Sequence, residues 1–349
     1  MTDNNNNNNE IIVEKKKRNK GIFIFKQFTV NHEICAQKVG SDALLLAGYT
    51  AIGKSVEYEQ LVWSGKVYDY DYGIGGEILN KGLEDGQWPR HVLDIGTGCG
   101  VLSLMLAQRF KQSIINSIDI DESAIQQTTM NIDNIYKEHP ENVTKNMYLF
   151  HTPIQEFQPT LTVPCELEKN KHVHRERKDM APAIDDRYDL IISAPPYFKS
   201  DITIDQQVSA MKTNRRIARH THTLSMKDLV QSVVRLLKPD TGIFTTIVSI
   251  PYPSDDLEEE ALKQGLVLLE LVLVTDTPDS KVVRKMYKFY LPSQPQPNQP
   301  PPTQRNFPIY ETSIKDSNLK THRKHSNQYK WMLNDFCNHF NKEKDLLLP

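Results

Sequence analysis

The chain is predicted to fold as a doubly wound α/β domain on a parallel sheet, and three observations point there. Short apolar runs and longer helical runs alternate from His91 to Gly265, the pattern of consecutive βαβ units. A glycine-rich turn, Asp94-Ile-Gly96-Thr-Gly98-Cys-Gly100, joins the first of those strands to the helix after it. The chain has 349 residues, 38% of them hydrophobic, which is enough for one large core.

The first twenty residues combine an Asn run with the basic segment Glu14–Lys20. They cannot bury enough apolar surface to offset their ordering entropy, which predicts a disordered basic arm over 1–20. Aromatic and aliphatic residues return from Gly21 to Val30, and Asp42–Thr50 reads as a short apolar helix behind a Ser41/Asp42 cap. Residues 51–90 are rich in Gly and Tyr without sustained periodicity and are expected to be a surface insertion. Strands are expected at His91–Ile95, Ser113–Ile120, Met147–His151 and Tyr188–Ser193. Helices fall between them at Val101–Phe110 and at about Glu122–Tyr136. The charged stretch Thr160–Arg187 marks a second insertion, over about 158–187. A helix over Leu224–Leu237 is stopped by Lys238-Pro239. A strand at Gly242–Ile250, a helix at Ser254–Gly265 and strands at Leu266–Val274 and Val282–Leu291 follow. Six prolines within Pro292–Pro302 make 292–306 an extended spacer rather than core. A last strand is expected at Phe307–Ile314 and a terminal helix at His325–His339, before a tail over 341–349. No internal repeat is visible, so 21–340 reads as one domain with insertions.

Composition narrows the function classes. Lys and Arg number 42 and Asp and Glu 44, a formal charge of −2, so any contact with nucleic acid is local. The longest apolar stretches, such as Gly265–Val274, fall far short of the ~18 to 20 residues that span a bilayer. The polar start Met1–Glu10 holds no apolar signal core. A cytoplasmic protein is expected, with no membrane partner; the nucleus is the alternative, because a short Lys/Arg run suits both an RNA-binding arm and an import signal. Cys35, Cys99, Cys165 and Cys337 form no Cys-x-x-Cys pair. His172, His174, His322 and His325 have no thiolate or carboxylate partners at ligand spacing, so no metal site is expected.

The chemistry sits at the strand ends. Gly96, Gly98 and Gly100 lie where an α/β sheet binds ligands, outside the carboxyl ends of its strands and at a helix N-terminus. Their D-x-G-x-G-x-G spacing departs from the dinucleotide fingerprint G-x-G-x-x-G and resembles the loop of S-adenosylmethionine (SAM) methyltransferases. Asp119 closes the second strand, where a carboxylate can accept hydrogen bonds from both ribose hydroxyls. The bland alternative is a tight turn with an unrelated acid.

Ser193-Ala194-Pro195-Pro196-Tyr197-Phe198 follows the fourth strand and resembles the Asn/Asp-Pro-Pro-Tyr motif of methyltransferases that modify exocyclic or amide nitrogens. An adenine amino group is a poor nucleophile because its lone pair is delocalised into the ring. Hydrogen bonds from its two N–H groups to a side-chain oxygen and to a proline carbonyl favour pyramidalisation, while an aromatic ring stacks on the extruded base. Ala194 stands where the motif has Asn or Asp, and a methyl accepts no hydrogen bond. The alternative here is a rigid Pro-Pro turn without chemistry.

Two further segments, Phe25-Lys-Gln-Phe28 with Cys35–Asp42 and Arg215–Leu224, are similar to bacterial tRNA methyltransferases that make N6-methyladenine beside the anticodon of valine tRNA. The resemblance covers most of 21–290 and, more weakly, 307–340. It implies a Rossmann-like class I SAM-dependent methyltransferase fold, a mostly parallel sheet with an antiparallel last strand, and methyl transfer to an adenine N6 in RNA, most readily tRNA. On this resemblance Gly96, Gly98 and Gly100 hold the methionine part of SAM, Asp119 its ribose, and Asp94 the loop or the amino group. Ala194, Pro195, Pro196 and Tyr197 form the catalytic turn, and Phe198 and Lys38 face the RNA; by charge rather than resemblance, the basic cluster of Lys212, Arg215, Arg216 and Arg219, with no acid between them, suits RNA phosphates, as do the basic residues around Lys315–Lys330 and the arm at 15–20. Near His151-Thr-Pro-Ile154 such enzymes carry an Asp for the SAM adenine, and Pro153 or Ile154 stands there instead. Guanine N2 of ribosomal RNA, protein glutamine, or a catalytically silent RNA-binding role are the other readings. For the basic clusters an ordinary solvated face is the alternative, and for Lys38 and Asp42 a helix cap and its neighbour.

Overall fold

The alternating apolar runs assemble into an eight-stranded sheet, with a two-stranded hairpin beside it. The computed structural model describes residues 21–50, 89–159, 187–195, 224–295, 299–311, 324–334 and 336–337. The hairpin pairs β1 (Ile22–Ile24) with β2 (Thr29–Asn31). The large sheet contains β3 (His91–Ile95), β4 (Ile114–Asp119), β5 (Met147–His151), β6 (Leu190–Ser193), β7 (Ile243–Ser249), β8 (Val267–Thr275), β9 (Val282–Tyr290) and β10 (Thr303–Pro308). Its strand order is β5-β4-β3-β6-β7-β9-β8-β10. The direction of winding reverses between β3 and β6, so the ends of those strands open onto a crevice.

Strand alternation separates two cores. Val92 joins one apolar cluster, and Leu93 and Ile95 the other. Helices α1 (Ser41–Thr50), α2 (Val101–Arg109) and α3 (Glu122–Glu138) contribute to the first, with α6 (Asn327–Leu333) behind them. Helices α4 (Met226–Leu236) and α5 (Ser254–Lys263) contribute to the second. All nine residues of α2 are buried, as expected of a run apolar on more than one face. Asp121 caps α3 by accepting from the Ser123 N–H, and Ser225 caps α4 by accepting from the Asp228 N–H. Lys238-Pro239 follows directly on the end of α4.

The sheet is parallel except at β9, which runs antiparallel to both β7 and β8. The reversed strand lies between β7 and β8, and the last strand, β10, is added at the edge beyond β8 and parallel to it. That strand corrects the expected boundaries: it spans Thr303–Pro308 rather than Phe307–Ile314, so the spacer ends at Pro302 rather than at 306. The strand starts at the first residue after the proline run, because Thr303 onward has backbone N–H groups to offer the β8 edge. The basic arm over 1–20, the tail over 341–349, residues 51–88 of the first insertion and 160–186 of the second lie outside the described residues.

Candidate active site

The glycine turn is built by its backbone. Gly96 N–H and Thr97 N–H both donate to Ile118 O, at 2.9 and 3.0 Å, which ties the turn to the end of β4. Gly98 has φ +58° and Gly100 φ +79°, left-handed conformations that favour residues without Cβ. A Cβ on Gly100 would meet Thr128 Cγ2 at 2.7 Å, so this glycine also lets α3 approach. A Cβ on Gly98 would meet nothing within 4 Å, because open space lies beside it.

Two carboxylates hold the turn from either side. Asp94, fully buried, accepts on Oδ2 from Thr97 Oγ1 at 2.9 Å and Ser103 Oγ at 2.5 Å, and Ser103 Oγ also lies 2.7 Å from Ser117 Oγ. Burial pushes its carboxyl up to about 6, against the pull of the Ser103 and Thr97 hydroxyls. Asp119 accepts from Gly98 N–H and from Asp121 N–H, each at 2.9 Å, and burial raises its pKa too. Side chains of α3 close the back of the turn. Thr128 Oγ1 donates to Gly98 O at 2.9 Å, and Asn131 Nδ2 donates to Cys99 O and to Asn31 O, each at 2.8 Å. Asn131 Oδ1 accepts from Asn31 N–H and Gln127 Oε1 from Ile34 N–H, so the segment after β2 is strapped to the same helix.

In front of the turn is a cavity of about 520 Å³, within the usual range of small-molecule sites. Gly96, Gly98, Asp119, Ala194 and Pro195 share its wall with Cys35–Gln37 and Thr152–Glu156.

Methyltransferase small domain proteins match residues 58–152, a span that holds the glycine turn and Asp119. A tRNA1(Val) (adenine(37)-N6)-methyltransferase of Pseudoalteromonas atlantica is 30% identical over 331 residues, 91% of this chain and 98% of its own length. A protein of the same name from Bacteroides fragilis is 29% identical over 270 residues, 76% of this chain and 83% of its own. The chain belongs to this methyltransferase family.

The turn expected to receive the target base, Ser193-Ala194-Pro195, sits at the end of β6. Ala194 is half-buried and lines the cavity. Ser193 also borders the cavity; its buried Oγ donates to Ile95 O at 2.9 Å, which turns the hydroxyl toward β3, and its carbonyl accepts from Thr246 Oγ1 at 2.8 Å. Pro195 lines the cavity, whereas Pro196, Tyr197, Phe198, Lys212, Arg215 and Arg219 lie outside the described residues. Of the two roles expected for Asp94, the structure shows the loop-holding one, since Asp94 is sealed beneath the turn and is not in the cavity wall. Lys38 is exposed, just beyond the Cys35–Gln37 wall. Asn131, Gln127 and Thr128 were not legible as site residues, because polar groups spaced along a helix read as its solvated face. Among the described residues no group of three or more His, Cys, Asp or Glu is placed to hold a metal ion, and no helix is long and apolar enough to cross a membrane.

Proposed function

We propose that this chain is a SAM-dependent tRNA (adenine-N6)-methyltransferase, with adenine 37 of tRNA1(Val), the target named for its relatives, as the substrate position. The observation that carries the reading is one cavity in which a glycine turn with open space at Gly98, a carboxylate at Asp119 and the Ala194-Pro195 turn meet. Bound SAM supplies an electrophilic sulfonium methyl. The chain's own residues bind and align: the turn admits the methionine portion, and Asp119 accepts from the ribose hydroxyls with lone pairs that the Gly98 and Asp121 N–H groups leave free. The Pro195 carbonyl accepts one hydrogen of the target amino group. Ala194 leaves the second hydrogen without a side-chain acceptor. A lost neutral hydrogen bond of ~1 to 3 kcal/mol slows transfer roughly 5- to 150-fold without abolishing it, because in-line displacement depends mainly on alignment. Lys212, Arg215, Arg219 and Lys38 would meet phosphates and make tRNA binding salt-dependent. A cytoplasmic location is consistent with a tRNA substrate of this bacterial type.

One observation favours a second reading. With Ala194 in the motif, that position offers no side-chain oxygen to the target amino group, and the protein would bind tRNA without modifying it. Transfer of labelled methyl from SAM to unmodified total tRNA, with the labelled nucleoside identified after digestion, separates the two. Labelled N6-methyladenosine is expected, and no label alongside intact SAM binding would leave the silent tRNA-binding protein.

A further inference from the structure

We infer that Asp228, on helix α4, is the group that recognises the adenine 6-amino group of SAM, in place of a carboxylate from the turn after β5. The inference rests on the SAM reading above. The glycine turn follows β3 and Asp119 ends β4, so a nucleoside that continues in the same direction reaches the end of β5 and the turn Thr152–Glu156. Ile118, Ile120, Pro153 and Ile154 line that end of the cavity and suit the faces of a purine ring. They offer no side-chain acceptor for its amino group, and a desolvated donor without a partner is costly.

The Pro153 and Ile154 carbonyls already accept hydrogen bonds within the fold. Pro153 O accepts from the Glu156 and Phe157 N–H groups. Ile154 O accepts from Phe157 N–H and from Arg235, whose second guanidinium nitrogen donates to Phe157 O at 2.8 Å. Arg235 thereby fastens α4 over the turn. Asp228 lies seven residues earlier on the same helix, about two turns toward the cavity and on the same face. It lines the cavity and is half-buried. Its carboxylate is preset, since Oδ2 accepts from Ser225 Oγ at 2.7 Å, and its N–H donates back to that hydroxyl at 3.0 Å. Among the described residues Oδ1 accepts no hydrogen bond, which leaves it for an amino donor. Gln155 and Glu156 also line this end but are exposed, where water competes for the same bond.

The test is calorimetric binding of S-adenosylhomocysteine and S-inosylhomocysteine, in which a ring carbonyl replaces the 6-amino group, to the full chain. Wild type is expected to prefer the adenosyl compound by about tenfold or more, the scale of one hydrogen bond to a charged group. Asp228→Ala is expected to lose that preference. Asp228→Asn keeps the contact with Ser225 and serves if the alanine variant fails to fold; its amide can donate to the ring carbonyl, so the preference is expected to move toward the inosyl compound. A wild-type preference retained in both variants overturns the inference, as does a preference lost only in Glu156→Gln. Wild type binding neither compound would defeat the SAM reading itself, an outcome distinct from the others.

Discussion

The two halves of the cavity are built on different principles. Around the glycine turn, backbone N–H groups, buried carboxylates and α3 side chains lock one another: Gly96 and Thr97 to Ile118 O, Gly98 to Asp119, and Thr128 and Asn131 to the turn carbonyls. At the end of β6 the polar side chain faces into the sheet, and the position that should present an acceptor is an alanine. The glycine turn is held by many mutually supporting contacts, whereas the turn after β6 offers the proposed target amino group a backbone carbonyl and no side-chain acceptor at Ala194. One substitution can therefore weaken the second while leaving the first whole.

The contrast breaks most severely at Gly100. Gly100→Ala combines a left-handed backbone with a contact to Thr128, for which strain of ~1 to 2 kcal/mol and overpacking of ~1 to 3 kcal/mol are ordinary costs. Thermal unfolding and calorimetry should show a destabilised protein with no measurable SAM binding. Preserved stability and affinity would mean that the turn is not the rigid floor described here.

Asp94 sharpens the comparison through pH. Its carboxyl is held up at about 6 in the fold, against an ordinary value of 3.8. The folded state binds the proton more tightly, so the Asp94 contribution to stability is fully present below about pH 4 and is lost as pH rises to 6, at about 1.4 kcal/mol per unit. Asp94→Asn should flatten that part of the stability profile, measured by denaturant unfolding from pH 4 to 7. An unchanged slope would move the titration elsewhere.

Asp119→Asn leaves one acceptor oxygen for two backbone donors and turns an amide toward the cavity. SAM affinity is expected to fall about tenfold, with a smaller change in stability. Ser193→Ala is the mild counterpart in the other half. It removes one hydrogen bond to Ile95 O, about 1 kcal/mol, and should leave SAM affinity unchanged by calorimetry.

The legible parts follow from the same division. The D-x-G-x-G-x-G turn, Asp119 and strands β3 to β7 stood out because strand periodicity and a need for left-handed glycines leave marks on the sequence itself. The clamps Gln127, Thr128 and Asn131 were hidden, since their partners are backbone atoms of Asn31, Ile34, Gly98 and Cys99, each at least 30 residues away in sequence. The start of β10 was misplaced because a proline run masks the edge pairing that begins at Thr303. Asp228 carries no motif that singles it out in the sequence, and only the position of α4 over the β5 turn brings it to the cavity.

The most direct measurement is the single-turnover rate of methyl transfer to unmodified tRNA by wild type and by Ala194→Asn, each saturated with SAM. The account predicts N6-methyladenosine from both, with the Asn variant roughly 5- to 150-fold faster and SAM affinity unchanged. Equal rates, or no transfer by either protein with SAM bound, would show that the target adenine is not presented at the Ala194-Pro195 turn.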